Sequence, residues 1–241
     1  MKPLLATLTL CLSTLPAMAT TTLARWDFNS DDGLVNTGSL TPSEGAGTLS
    51  LTGGTSGLFT SGSPIDPAGF PLDSGGSVGG YPAQGTLSGT AGFEGRVSSV
   101  GYQQLTLSFD YKTQPSGNKW FLTQATADDG ISWTDVATFG VAAADQWFTA
   151  SFDVSAALPA MANQAGFGFR VVAVFEPGTL AYEAAEAGYN GDFGLVIDRL
   201  TVQATAVPES QAAWMALAGL GLVGGLRRRR HAAPAPAPTC A

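Results

Sequence analysis

Strict alternation of apolar and polar residues does most to limit what this chain can become. Leu105, Leu107, Phe109 and Tyr111 alternate with Gln104, Thr106, Ser108 and Asp110. At the two-residue period of a strand this puts one face in a core and the other in water. Phe148, Ala150, Phe152 and Val154 repeat the pattern, as do Phe167, Phe169, Val171, Ala173 and Phe175. Thr22, Ala24, Trp26 and Phe28 form a weaker first instance, residues 119–126 and 133–139 read as two more strands, and residues 195–202 are a nearly continuous apolar run broken by Asp198-Arg199. Composition points the same way: 31 Gly and 14 Pro supply turns, and a charged fraction of 12%, about half the usual ~25%, argues against coiled coils and helical bundles. The expected fold is all-β, an antiparallel two-sheet sandwich of jelly-roll type. Only residues 180–187 read as a helix. Residues 29–90 are rich in Gly, Ser and Thr, with a short edge strand expected around Leu49 and Leu51.

The two ends of the chain obey different rules. Residues 1–19 begin with the single basic residue Lys2, continue through the apolar run 4–15 and end in Ala17-Met18-Ala19, the pattern of a secretory signal peptide cut after Ala19. Cys11 follows Leu10, where a lipid-attachment motif needs a small residue. Near the other end, residues 212–226 carry no charge and run directly into Arg227, Arg228, Arg229 and Arg230. As a helix these residues span about 22 Å of the ~30 Å hydrocarbon core, which local thinning and snorkelling arginines would accommodate. The arginines place the C-terminus on the cytoplasmic side and everything upstream outside. The Ala/Pro tail 231–241 is expected to be extended.

Val207-Pro208-Glu209, a short apolar helix over 211–226 and an arginine cluster, in that order, resemble the PEP-CTERM sorting signal of exported bacterial proteins. Ser210 stands where that motif has its second proline, and residues 231–241 extend past the arginines. The resemblance implies a membrane-embedded, exosortase-like processing partner, transient anchoring in the inner membrane, and release to the cell surface or extracellular matrix. Residues 103–202 are also similar in pattern to the jelly-roll ectodomains that accompany such signals. Four segments are therefore expected: 1–19, the exported domain 20–206, the sorting signal 207–230 and the tail 231–241.

Within 20–206, Arg25, Arg96, Lys112, Lys119, Arg170 and Arg199 face 18 of the 19 carboxylates, Glu209 being the exception, for a net charge of −12. Such a domain repels a phosphate backbone, so nucleic acid is excluded as a partner. It also contains neither His nor Cys: His231, Cys11 and Cys240 all lie in the terminal segments. That removes Ser-His-Asp and Cys-His catalysis, His/Cys zinc sites and disulfides. The expectation is a non-enzymatic surface protein that interacts with extracellular polysaccharide. One alternative is a spacer without a specific ligand. Another is a carboxylate-dependent glycoside hydrolase drawing on Glu44, Glu94, Glu176, Glu183 and Glu186, although no spacing singles out the facing pair such chemistry needs.

Three groups of residues are candidates for sites. Sugar-binding sandwiches use aromatic faces as platforms. Trp147 is the first candidate because the period puts it outward while Phe148 and Phe152 face the core, and Trp120 is the second. Residues 126–133 resemble an Asp-box, in which Asp128 closes a hairpin turn, Gly130 takes positive φ and Trp133 tucks beneath. A single copy argues against a propeller. Lastly, Asp27, Asn29 and Asp31 present alternate oxygens, and Asp198, read as sharing a face with Val196, Leu200 and Val202, would join them if the terminal strands are neighbours. Calcium is the cofactor such hard oxygens suit. An EF-hand is excluded, since Asp32 and Gly38 stand where it needs Gly and Glu. A turn with Asx hydrogen bonds would use the same acids without a metal.

Overall fold

The computed structural model describes residues 19–30, 32–66, 73–192 and 194–207. Residues 1–18 of the expected signal peptide, Pro208, Glu209, the apolar helix, the arginine cluster and the tail lie outside them. Among the described residues no helix is long and apolar enough to cross a membrane. The described residues form twelve strands: β1 (Thr20–Trp26), β2 (Glu44–Gly45), β3 (Thr48–Thr52), β4 (Ser56–Ser61), β5 (Ser74–Gly79), β6 (Gly92–Arg96), β7 (Tyr102–Thr113), β8 (Trp120–Thr126), β9 (Thr134–Gly140), β10 (Phe148–Asp153), β11 (Gly168–Ala173) and β12 (Leu195–Ala206). They form two antiparallel sheets. One is five-stranded, in the order β3-β6-β11-β8-β9; the other is seven-stranded, with β10-β7-β12-β1-β2 in line and the β5-β4 pair attached to β12. From β6 onward the chain passes repeatedly from one sheet to the other.

The alternating positions fill the space between the sheets. Leu105, Leu107, Phe109 and Tyr111 of β7 are buried opposite Phe93, Phe121, Phe169 and Val171 of the other sheet. Phe109 meets Phe93 edge-on at 6.2 Å and Phe139 at 5.9 Å, while Trp26 meets Phe169 at 6.2 Å. Each fully buried aromatic contributes roughly 1.5–3 kcal/mol through area removed from water, and edge-to-face pairs add about 0.5–1.5 kcal/mol.

Four features depart from the sequence expectations. Residues 180–187 form no helix. The segment is instead tied to 115–119 by backbone hydrogen bonds from Lys119 N to Glu183 O and from Ala185 N to Gly117 O, each reaching at least 2.9 Å. Its Tyr182 stacks on Tyr189 at 4.8 Å and meets Phe175 edge-on, so aromatic packing outweighs a weak local preference. The alternation beginning at Phe148 stops at Asp153, whose side chain caps the one-turn helix α1 (Val154–Ala157) by accepting from Ala156 N at 2.8 Å.

Asp110, expected on a wet face, is fully buried. Finally, the glycine-rich strands β5 and β6 show no apolar period. A Cβ at Gly95 would collide with the Phe169 ring, and one at Gly76 would press on the Phe28 ring at 3.0 Å. In these strands glycine provides clearance for aromatics contributed from elsewhere.

Candidate functional site

The outer face of the seven-stranded sheet is organised by a bulge in β12. Its pairing with β7 shifts between Asp198 and Thr201, and Arg199 adopts the left-handed φ of 47°. The extra residue reverses the pleat. Leu200 and Val202 turn into the core, whereas Val196 and Asp198 face outward, so Asp198 does not share their face as expected. Arg199 reaches across to the buried Asp110, donating from Nε at 2.8 Å and from Nη2 at 3.0 Å. Thr149 Oγ1 donates to the same carboxylate at 2.6 Å. The ion pair raises the Arg199 guanidinium pKa above its ordinary value, the Asp110 hydrogen bonds being the main cause.

Beyond this ion pair the same face opens into a groove of about 440 Å³ lined by Leu58, Thr60, Ser77, Lys112, Gln114 and Asp145, among others. Asp145 is the one carboxylate among its described lining residues. Its backbone holds φ at 56°, a left-handed conformation that is costly without glycine, and its N–H donates to Thr113 O at 2.8 Å. Phe148 pairs with Tyr111, which sets half-buried Trp147 beside Lys112. The Lys112 ammonium lies 5.0 Å from the Trp147 ring centroid. Leu58, 77% exposed, separates the groove from a smaller apolar cleft of about 150 Å³ where Leu49 and Leu51 approach Phe28.

Trp120 belongs elsewhere. It lies on β8 of the five-stranded sheet, with its neighbour Phe121 in the core. Its indole N–H donates to Glu183 Oε2 at 2.6 Å, and Gly140 sits against its ring, where a Cβ would lie 2.9 Å from it. Lys119 donates to Glu183 Oε1 at 2.8 Å, and these two donors hold the Glu183 carboxyl below its ordinary pKa. The two tryptophans singled out from the sequence are therefore on different sheets.

Residues 126–133 form the turn between β8 and β9. Asp128 accepts from Thr126 Oγ1 at 2.6 Å, Ser132 N at 2.9 Å and Ser132 Oγ at 2.6 Å. These bonds, the Ser132 hydroxyl foremost, lower its carboxyl pKa to about 2. Gly130 has φ 84°, and the Trp133 ring lies 4.9 Å and 4.6 Å from the Arg96 and Arg170 guanidinium carbons.

Three of the four residues proposed for calcium, Asp27, Asn29 and Asp198, are among the described residues. Asp31 lies outside the described residues. Asn29 Oδ1 accepts from Ser74 N at 2.8 Å, its side chain lies beside Asp73, and the half-buried Asp27 adds negative charge near the same carboxylate. The local acid that organises this turn is Asp32, which accepts from Ser30 Oγ at 2.6 Å, Thr37 Oγ1 at 2.6 Å and Leu34 N at 2.9 Å. Its lowered pKa follows from those bonds, led by Ser30. Asp198 instead meets Asp66 and Asp73, all three buried, with one oxygen from each within 4.8 Å of the others. Nothing local marked Asp66 or Asp73 in the sequence. Their partner is more than a hundred residues away, and they flank a segment with no strand-like period.

No family model and no curated protein matches this sequence. Among solved structures, the CBM22-1 xylan-binding domain from Paenibacillus barcinonensis Xyn10C is similar at 11% identity and a TM-score of 0.49, over 80% of this chain and 100% of that one. A cleaved adhesin domain of Lys-gingipain from Porphyromonas gingivalis is similar at 8% identity and a TM-score of 0.39, over 80% and 100% of the two chains. A family 29 carbohydrate-binding module is similar at 15% identity and a TM-score of 0.30, over 78% and 90%. At such identities and scores no residue role passes from these proteins to this chain.

Proposed function

We propose that this protein is an exported, surface-sorted and non-enzymatic β-sandwich with jelly-roll connectivity that holds an extracellular polysaccharide in the groove over β4, β5, β7 and β12. The observation that carries this reading is the groove's chemistry. Neutral hydrogen-bonding groups (Thr60, Ser77, Gln114) stand beside apolar Leu58 and Val196, with one cation, Lys112, and one carboxylate, Asp145. A sugar ring presents the same mixture of hydroxyls and apolar C–H faces, and Trp147 flanks the groove at the Lys112 end. Hydrolysis by paired carboxylates requires two acids facing each other across the substrate. Asp145 has no second carboxylate opposite it among the described lining residues. Export and sorting rest on the charge and hydropathy of the two ends, and an exosortase-like enzyme is the partner that their resemblance implies.

The full-length chain should be retained on at least one acidic or neutral bacterial polysaccharide in an array. Removing one stacking or hydrogen-bonding side chain in such a groove costs about 1–2 kcal/mol, so Trp147→Ala and Lys112→Ala should each weaken retention about tenfold. If no polysaccharide is retained, the spacer reading takes its place; retention that survives both substitutions removes the groove from the proposal.

A further inference from the structure

We propose that Asp66, Asp73 and Asp198 bind a calcium ion at the point where the first and last strands of the domain diverge. β1 pairs with β12 from Leu200 to Thr205, whereas β5 pairs with it at Val196 and Ile197. Asp198 lies at the fork between them. Asp73 immediately precedes β5, and Asp66 is bound by Arg25 of β1, whose Nη2 donates to its Oδ2 at 3.1 Å.

The three side chains are 0%, 4% and 0% exposed, in the order Asp66, Asp73, Asp198. Calcium holds oxygens at about 2.3–2.6 Å, so two oxygens on opposite sides of one ion stand about 4.8 Å apart. The observed separations, all within 4.8 Å, fit inside that shell. Asp198 already has two donors, Ser63 N at 2.7 Å to Oδ2 and Arg199 N at 2.7 Å to Oδ1. Asp73 has no donor at full hydrogen-bond geometry: both of its carboxylate oxygens are buried, and the polar side chains beside them are the Asn29 amide and the Asp198 carboxylate. An acceptor-only group in that position lacks a positive partner, and a buried charge is tolerated only when paired or bound to metal.

Space for the ion is kept by Gly62, where a Cβ would meet Asp73 Oδ2 and Asp198 Oδ2, although the backbone there needs no left-handed turn.

The test uses the full-length chain and calcium chloride alone. Isothermal titration should show one calcium per chain. At calcium about 100-fold above the measured Kd, the melting temperature should rise by roughly 5–10 °C over that in chelator. Asp73→Asn, which removes a charge, and Gly62→Ala, which fills the space, should each lose most of that rise. The wild-type titration decides the matter even if either variant folds poorly. No binding heat together with equal melting in calcium and chelator overturns the proposal, as does an equal rise in Asp73→Asn. A cluster held by a shared proton would instead be indifferent to calcium and stabilised by Asp73→Asn, which also overturns it.

Discussion

Asp110 shows how an outward-facing residue can be as buried as the core positions of its strand. It occupies a position that alternation assigns to water, yet it is fully buried because Arg199 and Thr149 close over it from the strands on either side. Removing the guanidinium leaves a buried carboxyl group with one hydroxyl donor. Breaking a buried pair costs about 3–5 kcal/mol, less where solvent reaches one partner, and the Arg199 side chain is 28% exposed. Arg199→Ala should therefore lower stability by about 2–3 kcal/mol, measured as a shift in urea midpoint at unchanged slope. The left-handed backbone at this residue is strained with either side chain and cancels from the comparison. A loss below about 0.5 kcal/mol would place the pair among inconsequential surface contacts.

At the scale of the element, the β8–β9 hairpin was legible because its turn chemistry is local. Thr126, Asp128, Gly130 and Ser132 lie within seven residues of one another and satisfy one another's hydrogen bonds. The folded carboxyl of Asp128 is lowered to about 2 from 3.8. Its contribution is therefore complete above the unfolded value and is lost as pH falls from there through the folded value. Comparing Asp128→Ala with the wild type by urea unfolding at about pH 6 and about pH 2.5 isolates this effect. The gap between them should narrow at the lower pH; a gap of equal size at both would mean the turn does not depend on the charged form. Residues 180–187 show the converse. A short apolar and acidic run has little helical preference of its own, and Tyr182 packing on Tyr189 and Phe175 set its path.

For the whole molecule, the ends and the sandwich make separate statements. If the C-terminal segment is a sorting signal read by an exosortase-like enzyme, mass spectrometry of the protein recovered from the cell surface should find a C-terminus upstream of Arg227. An intact chain through Ala241 would mean an ordinary anchor. The sandwich was largely legible: β1, β3 and β7 to β12 follow the alternation or the edge-strand expectation, whereas β2, β4, β5 and β6 do not. β5 and β6 are built from glycines whose role is to stand clear of Phe28 and Phe169. The site was less legible. Trp147 lies beside the groove, but Lys112, Asp145 and Leu58 come from three distant stretches that only the paired strands bring together.

By itself the sequence determined the period of the strands, the acidic, His- and Cys-free composition of residues 20–206 and the apolar and basic character of both ends, because each depends on neighbouring residues or on composition alone. Tertiary structure decided which carboxylates meet. Asp66, Asp73 and Asp198 have no common spacing, and they converge because an extra residue at Arg199 turns β12 and lets β1 and β5 part around it. A bulge of that kind follows from how strands pair, and pairing between distant segments leaves no periodic mark in either one.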